Sequence, residues 1–320
     1  MISLITGVTG FAGRHLATEL IKRGDIVHGT FRSRSNVSGL RSQGVRLVEC
    51  DLTDAHSTDS KAFRDVLEDV DVIYHLAADT FVPASFTAPC ETFNTNVQGT
   101  LNLLEAVRKH SVGTRIVNAG SSEQYGLVQD TELPITEDSP FRPLSPYAAS
   151  KIAQEYACAQ YWRSYGIRVV LARSFNYFGP GGNDRTVVPS FCRQIAEVEA
   201  GLRVKVMHGS LTARRDFVDV RDAVRAYAEL GRGPVAAGQA FNICSGYSVS
   251  MEDLLGALVS FSPHHIVTDA DAARMRPSDV PVLKGDHSKI SQTTGWGPMI
   301  SFNQSLEDTL NYWRQKVNAE

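Results

Sequence analysis

The chain has 320 residues, 42% of them hydrophobic and 21% charged, with a formal net charge of −3 at pH 7. That length can bury a large core, and the charge balance offers no basic surplus of the kind a nucleic-acid partner would require. The five cysteines, Cys50, Cys90, Cys158, Cys192 and Cys244, form no Cys-x-x-Cys pair and no regular framework, which fits a reduced, cytoplasmic setting and supplies no metal-ligand spacing. No stretch approaches the ~20 apolar residues that span a bilayer, so no membrane association is expected.

In chain order, residues 2–6 read as a buried strand that runs straight into a glycine-spaced turn, so the apolar start is a strand and not a targeting segment. Residues 14–23 follow as a helix closed by Gly24, and residues 25–31 as a second strand, completing a βαβ unit. Further strands are predicted over 46–49, 72–76, 115–119 and 168–173, with helices over 60–67, 91–109 and 146–165. This alternation predicts an α/β fold, a doubly wound parallel sheet of the Rossmann type. After the stretch Phe175-Asn176-Tyr177-Phe178-Gly179-Pro180-Gly181-Gly182 the alternation breaks. A smaller mixed α/β substrate-binding lobe is expected from there. The expected division is 1–175 for the cofactor domain, with 217–244 returning to it, and 176–216 plus 245–320 for the substrate lobe. No flexible linker separates them, so the lobes should share a cleft.

The first turn, Gly7-Val8-Thr9-Gly10-Phe11-Ala12-Gly13, differs by one residue from the G-x-G-x-x-G dinucleotide fingerprint. The physical demand is the same: backbone must pass close to a pyrophosphate, and a helix N-terminus must offer amide donors to it. Where an NAD site would present an acid at the end of the second strand, this chain has Arg32 and Ser33, which suit a 2′-phosphate and favour NADP(H) over NAD. Asp51 and Leu52, just past the third strand, are placed to reach the adenine.

Tyr147 and Lys151 are four residues apart in a predicted helix, so phenol and ammonium share one face. A cation beside the phenol is expected to lower its pKa and make it an acid-base group. Ser145 suits the N-cap and Pro146 the first helical position. After the strand over 115–119, the segment Gly120-Ser121-Ser122-Glu123-Gln124-Tyr125-Gly126 brings hydroxyls and a carboxylate to the same strand ends.

On these motifs, in this order, the chain resembles the extended short-chain dehydrogenase/reductase family over nearly its whole length. The resemblance implies that Tyr147 is the general acid/base, that Lys151 tunes it and binds the nicotinamide ribose, and that Ser121 holds the reacting oxygen. Ser121 is favoured over Ser122 because the family's catalytic hydroxyl lies four residues before the tyrosine of the Tyr125-Gly126 pair. It also places Thr9, Phe11, Ala12, Leu76, Ala77 and Ala78 beside the cofactor.

Two later stretches are similar to those of GDP-mannose dehydratases and GDP-4-keto-6-deoxymannose reductases. One runs from Gly209 to Asp222, and the other begins at Arg276-Pro277-Ser278-Asp279 and continues to Trp296. They imply a GDP-sugar substrate, with Arg215, Arg276 and Asn176 on the diphosphate and Asp279 on the ribose. Val188 and Arg193 are further candidates for the nucleotide, and Thr80 and Ser85 for the sugar. The expected reaction is NADPH-dependent reduction of GDP-4-keto-6-deoxy-D-mannose to GDP-D-rhamnose.

A GDP-mannose 4,6-dehydratase, which keeps a carboxylate such as Glu123 as an added base, and a nucleotide-sugar 4-epimerase remain open. Phe11-Ala12 departs from the Gln-Asp of dehydratases that resemble this group and favours the reductase. A non-enzymatic NADP sensor on the same fold is the reading from another class. Retention of Ser121, Tyr147 and Lys151 argues against it. The resemblance also implies a homodimer, or a tetramer, built on the helices over 91–109 and 146–165.

Overall fold

The computed structural model describes residues 1–33, 35–274 and 280–319. The chain begins with β1 (Ile2–Thr6), α1 (Phe11–Lys22), β2 (Ile26–Phe31), β3 (Arg46–Glu49), α2 (Ala55–Thr58), α3 (Lys61–Asp69) and β4 (Val72–His75). Short helices α4 (Val82–Thr87) and α5 (Pro89–Phe93) and a π-turn at Asn94–Gln98 lead into α6 (Gly99–His110), followed by β5 (Arg115–Ser121), α7 (Pro146–Tyr165) and β6 (Arg168–Ser174). The remainder comprises β7 (Asn176–Phe178), α8 (Val187–Glu199), β8 (Val206–His208), β9 (Arg214–Asp219), α9 (Val220–Arg232) and β10 (Ala240–Ile243). It ends with β11 (Ser248–Ser250), α10 (Met251–Ser260), β12 (Thr268–Ala270), α11 (Ser288–Thr294) and α12 (Phe302–Ala319).

Seven strands form one sheet in the order β10-β6-β5-β4-β1-β2-β3, every pair parallel. Both faces are covered, which is why a strand such as β4 is buried at every position. On one face, α1 and α9 pack through Leu16, Leu20, Val224 and Tyr227. On the other, α3, α6 and α7 supply Phe63, Leu67, Leu103, Val107 and Cys158. The strand order reverses between β1 and β4, which opens a crevice at the strand carboxyl ends. The fold is the expected doubly wound parallel sheet.

A second core, around Phe178, Phe191, Phe217, Leu254, Leu310 and Trp313, joins the three-stranded sheet β11-β9-β7 to α8, α10 and α12. The chain crosses back between β9 and α9: β9 lies in the small sheet, whereas α9 packs on α1 and β10 lies beside β6.

Two elements differ from expectation. Helix α1 starts at Phe11, three residues early, because the extended Gly10 already serves as its N-cap. The single helix predicted over 91–109 is interrupted by the π-turn. The cause is tertiary: Asn96 in that turn accepts from Asp79 N (2.7 Å) and donates to Ser150 Oγ (2.9 Å), contacts a regular helix would not align. Among the described residues, no helix is long and apolar enough to cross a membrane.

Candidate active site

The first-strand turn is shaped by close approach. Gly7 has φ +72°, and a Cβ there would lie 2.9 Å from the Ala77 backbone; on Gly13 it would lie 2.3 Å from the Gly7 carbonyl oxygen. Only glycine fits both places. α1 has no side-chain cap and no acid in its first turn, so its leading amide donors and partial positive charge remain for an anion at the crevice. These features fit a dinucleotide pyrophosphate.

Leu76, Ala77 and Ala78 leave β4 half-buried on the other side of the crevice. Thr9 lends its carbonyl to Arg14 Nε (3.2 Å), and the same guanidinium donates to the Ser38 and Asn36 carbonyls at 3.2 and 2.6 Å. Arg14 thus staples the glycine turn to the loop after β2. Sequence reading missed it, because nothing local marks an arginine inside a helix as a clamp on a distant loop. Arg32 and Ser33 are exposed on that loop. Asp51 caps its own turn, accepting from Thr53 N at 3.0 Å and Thr53 Oγ1 at 2.8 Å. Leu52 is buried, and its carbonyl accepts from Asn102 Nδ2 at 2.8 Å.

Helix α7 carries the Tyr147 and Lys151 pair. Ser145 Oγ accepts from Ala148 N at 3.1 Å, Pro146 occupies the first turn, and Gly166 closes the helix in the left-handed conformation. Tyr147 therefore sits in the first turn, buried, with the hydroxyl of Ser121, the last residue of β5, near enough to act on its phenol. Ser121 is itself fixed: its N–H donates to Gln124 Oε1 (2.8 Å), and its hydroxyl accepts from Glu123 N (3.2 Å).

The expectation that a neighbouring cation lowers the Tyr147 pKa is corrected here. Burial pushes the phenol up, and Tyr177, Glu123 and Asp79 add to that; the Ser121 hydroxyl opposes it but is the smaller effect. The Lys151 ammonium is directed instead to the Ala119 carbonyl (2.7 Å) and Gln154 Oε1 (2.7 Å). Burial lowers Lys151 itself to about 8. At neutral pH the phenol is protonated and the amine largely so, a state suited to giving a proton.

Behind Ser121 lies a buried polar network that motif reading did not find. Gln124 Nε2 donates to Glu155 Oε2 (2.8 Å). Arg173 grips Glu155 with both arms, at 3.0 and 2.6 Å, and also donates to the Tyr125 hydroxyl (2.9 Å) and the Glu137 carbonyl (2.7 Å). The charges of Arg173 and Glu155 thereby compensate each other out of water. On the opposite wall the Phe11 and Tyr177 rings lie 6.1 Å apart, linking the glycine turn to the second lobe.

The substrate-side candidates divide. Asn176 and Arg215 project from the same face of the small sheet, since Asn176 is in register with Phe217, two residues beyond Arg215. Arg215 is buried and donates to the carbonyls of Arg214 (2.9 Å) and Val280 (2.6 Å). Thr80 is exposed beside the crevice. The other three candidates have partners within the protein. Ser85 is 1% exposed and gives its proton to the Val82 carbonyl (2.7 Å). Val188 is 1% exposed, its side chain spent in the core of the second lobe. Arg193 is neutralised by Asp184 and Glu197. Arg276 and Asp279 lie outside the described residues.

A parallel sheet with a glycine turn at its switch point, and a buried Ser-Tyr-Lys set at the same strand ends, define an enzyme of the extended short-chain dehydrogenase/reductase class. The sequence pattern described as GDP-mannose 4,6 dehydratase matches residues 4–309, and the chain belongs to that family. It is 37% identical over 252 residues to a GDP-6-deoxy-D-mannose reductase of Pseudomonas aeruginosa, an alignment covering 78% of this chain and 82% of the relative. It is 32% identical over 326 residues to GDP-mannose 4,6 dehydratase 2 of Arabidopsis thaliana, covering 96% and 85%. Among solved structures it is similar to RMD from Pseudomonas aeruginosa complexed with NADPH, with TM-score 0.83 and 31% identity over 98% of this chain and 99% of that one.

Proposed function

We propose that this chain reduces the C4 keto group of GDP-4-keto-6-deoxy-D-mannose to give GDP-D-rhamnose, with NADPH as reductant. The observation that carries the reading is the placement of buried Tyr147 beside Ser121 at the strand carboxyl ends, with the Lys151 ammonium one turn further along α7, because reduction calls for a proton donor at the carbonyl oxygen and a second donor to orient it. The likeness to a GDP-6-deoxy-D-mannose reductase supports the substrate, and that to a structure with NADPH supports the cofactor. Bound NADPH would supply the hydride. Gly7, Gly10, Gly13 and the start of α1 would hold its pyrophosphate, Arg32 and Ser33 its 2′-phosphate, and Lys151 its nicotinamide ribose. Tyr147 would pass its phenolic proton to the alkoxide oxygen forming at C4 while Ser121 donates to the same oxygen. Asn176 and Arg215 would position the GDP diphosphate.

A second reading, GDP-mannose 4,6-dehydratase, is favoured by one observation: Glu123 is close enough to Tyr147 to raise its pKa, as a base acting at C5 would need to be. The discriminating experiment incubates the protein with GDP-mannose and with its 4-keto-6-deoxy product, each with and without NADPH, followed by mass analysis. A gain of two hydrogens by the keto sugar, dependent on NADPH, is expected. Loss of water from GDP-mannose without added NADPH would overturn the reductase reading in favour of the dehydratase.

We also infer a homodimer through α5 to α7. The side of α7 turned from the sheet carries the half-exposed stripe Ala149, Ile152 and Ala153, continued by Tyr156, which is 61% exposed. A helix apolar on both sides calls for a second covering surface.

A further inference from the structure

Within the Tyr147 and Lys151 pair, Lys151 poses a physical problem that proton transfer does not solve. The residue is 3% exposed, and among the described residues its ammonium makes no ion pair, so its charge rests on neutral acceptors alone. One is the Ala119 carbonyl; the other is Gln154, one turn further along α7 and 0% exposed.

The orientation of the Gln154 amide follows from donor and acceptor bookkeeping. An ammonium only donates, so Gln154 presents Oε1 to it and turns Nε2 the other way. There it donates to Asn118 Oδ1 on β5, at 2.9 Å. Asn118 must present its oxygen in return, and its own Nδ2 is left buried without a hydrogen-bond partner among the described residues. An orphaned buried donor is a standing cost. Here the alternative rotation of Asn118 would face Nδ2 against Gln154 Nε2 and drive the Gln154 oxygen from Lys151.

We propose that Gln154 is a positioning residue that fixes the Lys151 ammonium and retains its proton, with Asn118 locking the Gln154 amide in the required orientation. The titratable groups facing Lys151 do not supply that role. Cys158, on the same helix, is held in the thiol form by burial. His75, on β4, is driven down to about 3 by burial and by Lys151 itself, and so is neutral. Tyr147 is a neutral phenol, and the Glu155 carboxylate is occupied by Arg173 and Gln124. Gln154 is thus the one side-chain acceptor on Lys151 among the described residues. The proposal rests on the oxidoreductase reading of the site but not on which sugar is reduced.

The test measures the Lys151 titration directly in the free protein, by NMR of 13C-labelled lysine Cε, assigned by its loss in Lys151→Arg. The parent should titrate near 8. Gln154→Met, which removes the acceptor, should lower the midpoint. Gln154→Glu, of the same shape but anionic, should raise it by roughly one unit or more, because Asn118 can rotate to offer its spare Nδ2 to the new carboxylate. Asn118→Leu should shift the midpoint down by less than Gln154→Met.

In turnover with NADPH, the alkaline limb of kcat should move in the same direction as the NMR midpoint in each variant. A merely structural role would leave the midpoint where it is. Equal midpoints in folded parent and Gln154→Glu overturn the proposal, even if Gln154→Met fails to fold. Shifted midpoints without activity on the keto sugar leave it standing and count against the reductase reading instead.

Discussion

At Tyr147 the protonation state decides the direction in which the site works best. Burial, with Tyr177, Glu123 and Asp79, keeps the phenol neutral, so it holds a proton that a more basic alkoxide can take. Tyr147→Phe keeps the ring and deletes only the hydroxyl that carries that proton. It should leave dinucleotide affinity within about twofold while kcat falls by roughly 10²–10⁴; unchanged turnover would discard Tyr147 as the acid. Lys151 carries the opposite burden, since burial depresses its pKa from 10.5 to about 8. The unfolded chain therefore binds more protons than the folded one between these values. Stability should rise with pH across that window, with the full penalty present below it. Lys151→Met removes the penalty, so the variant should be more stable than the parent at pH 7, by up to roughly 3 kcal/mol. That advantage should shrink towards pH 10.5. Urea denaturation at the two pH values checks it; a variant less stable at pH 7 would show that the ammonium is well solvated by its acceptors. The spacing of Tyr147 and Lys151 was legible in the sequence, but the direction of the phenol's shift was not. It depends first on burial and then on Tyr177 and Asp79, brought up from distant parts of the chain.

At the level of elements, what the sequence revealed was what local chemistry dictates. Helix α7 runs over the residues predicted for it, because Ser145, Pro146 and Gly166 define its ends without help from elsewhere. The π-turn at Asn94–Gln98 was hidden, because its cause is Asn96 meeting Asp79 and Ser150, contacts that exist only after folding. The partners of Ser85, Val188 and Arg193 within the protein were hidden for the same reason: a motif gives a position along the chain, and packing decides what the side chain meets. The network linking α7 to β5 and β6 was equally invisible. In it, Arg173 and Glu155 have side chains 8% and 5% exposed. Glu155→Leu leaves a buried guanidinium without its carboxylate and should destabilise the fold by about 3–5 kcal/mol. Glu155→Leu/Arg173→Leu, which removes both charges, should recover part of that loss. Thermal melts of the two proteins make the comparison, and a double variant less stable than the single would show that each charge is held by other partners.

For the molecule as a whole, the two cores are joined by a chain that crosses between them more than once, so the crevice is built from both and its walls are fixed by the fold. Every residue proposed for chemistry belongs to one copy of this crevice, whereas the inferred dimer surface lies on the outer side of α7. That separation makes assembly testable without disturbing catalysis. Tyr156 is 61% exposed, and Phe93 and Tyr165 add two further exposed rings on the same layer of helices. A two-fold interface would cover each ring with its counterpart's surroundings. Placing a charge at its centre would set like charges near each other in a desolvated patch. Tyr156→Glu should therefore convert a particle of twice the 35.0 kDa chain into one that dissociates on dilution, as followed by sedimentation velocity over a range of concentrations. Its circular dichroism should match the parent, since the residue does not contribute to the core. Sedimentation of the parent as a monomer at every concentration would remove the dimer. A Tyr156→Glu protein that stays dimeric would move the interface to another face.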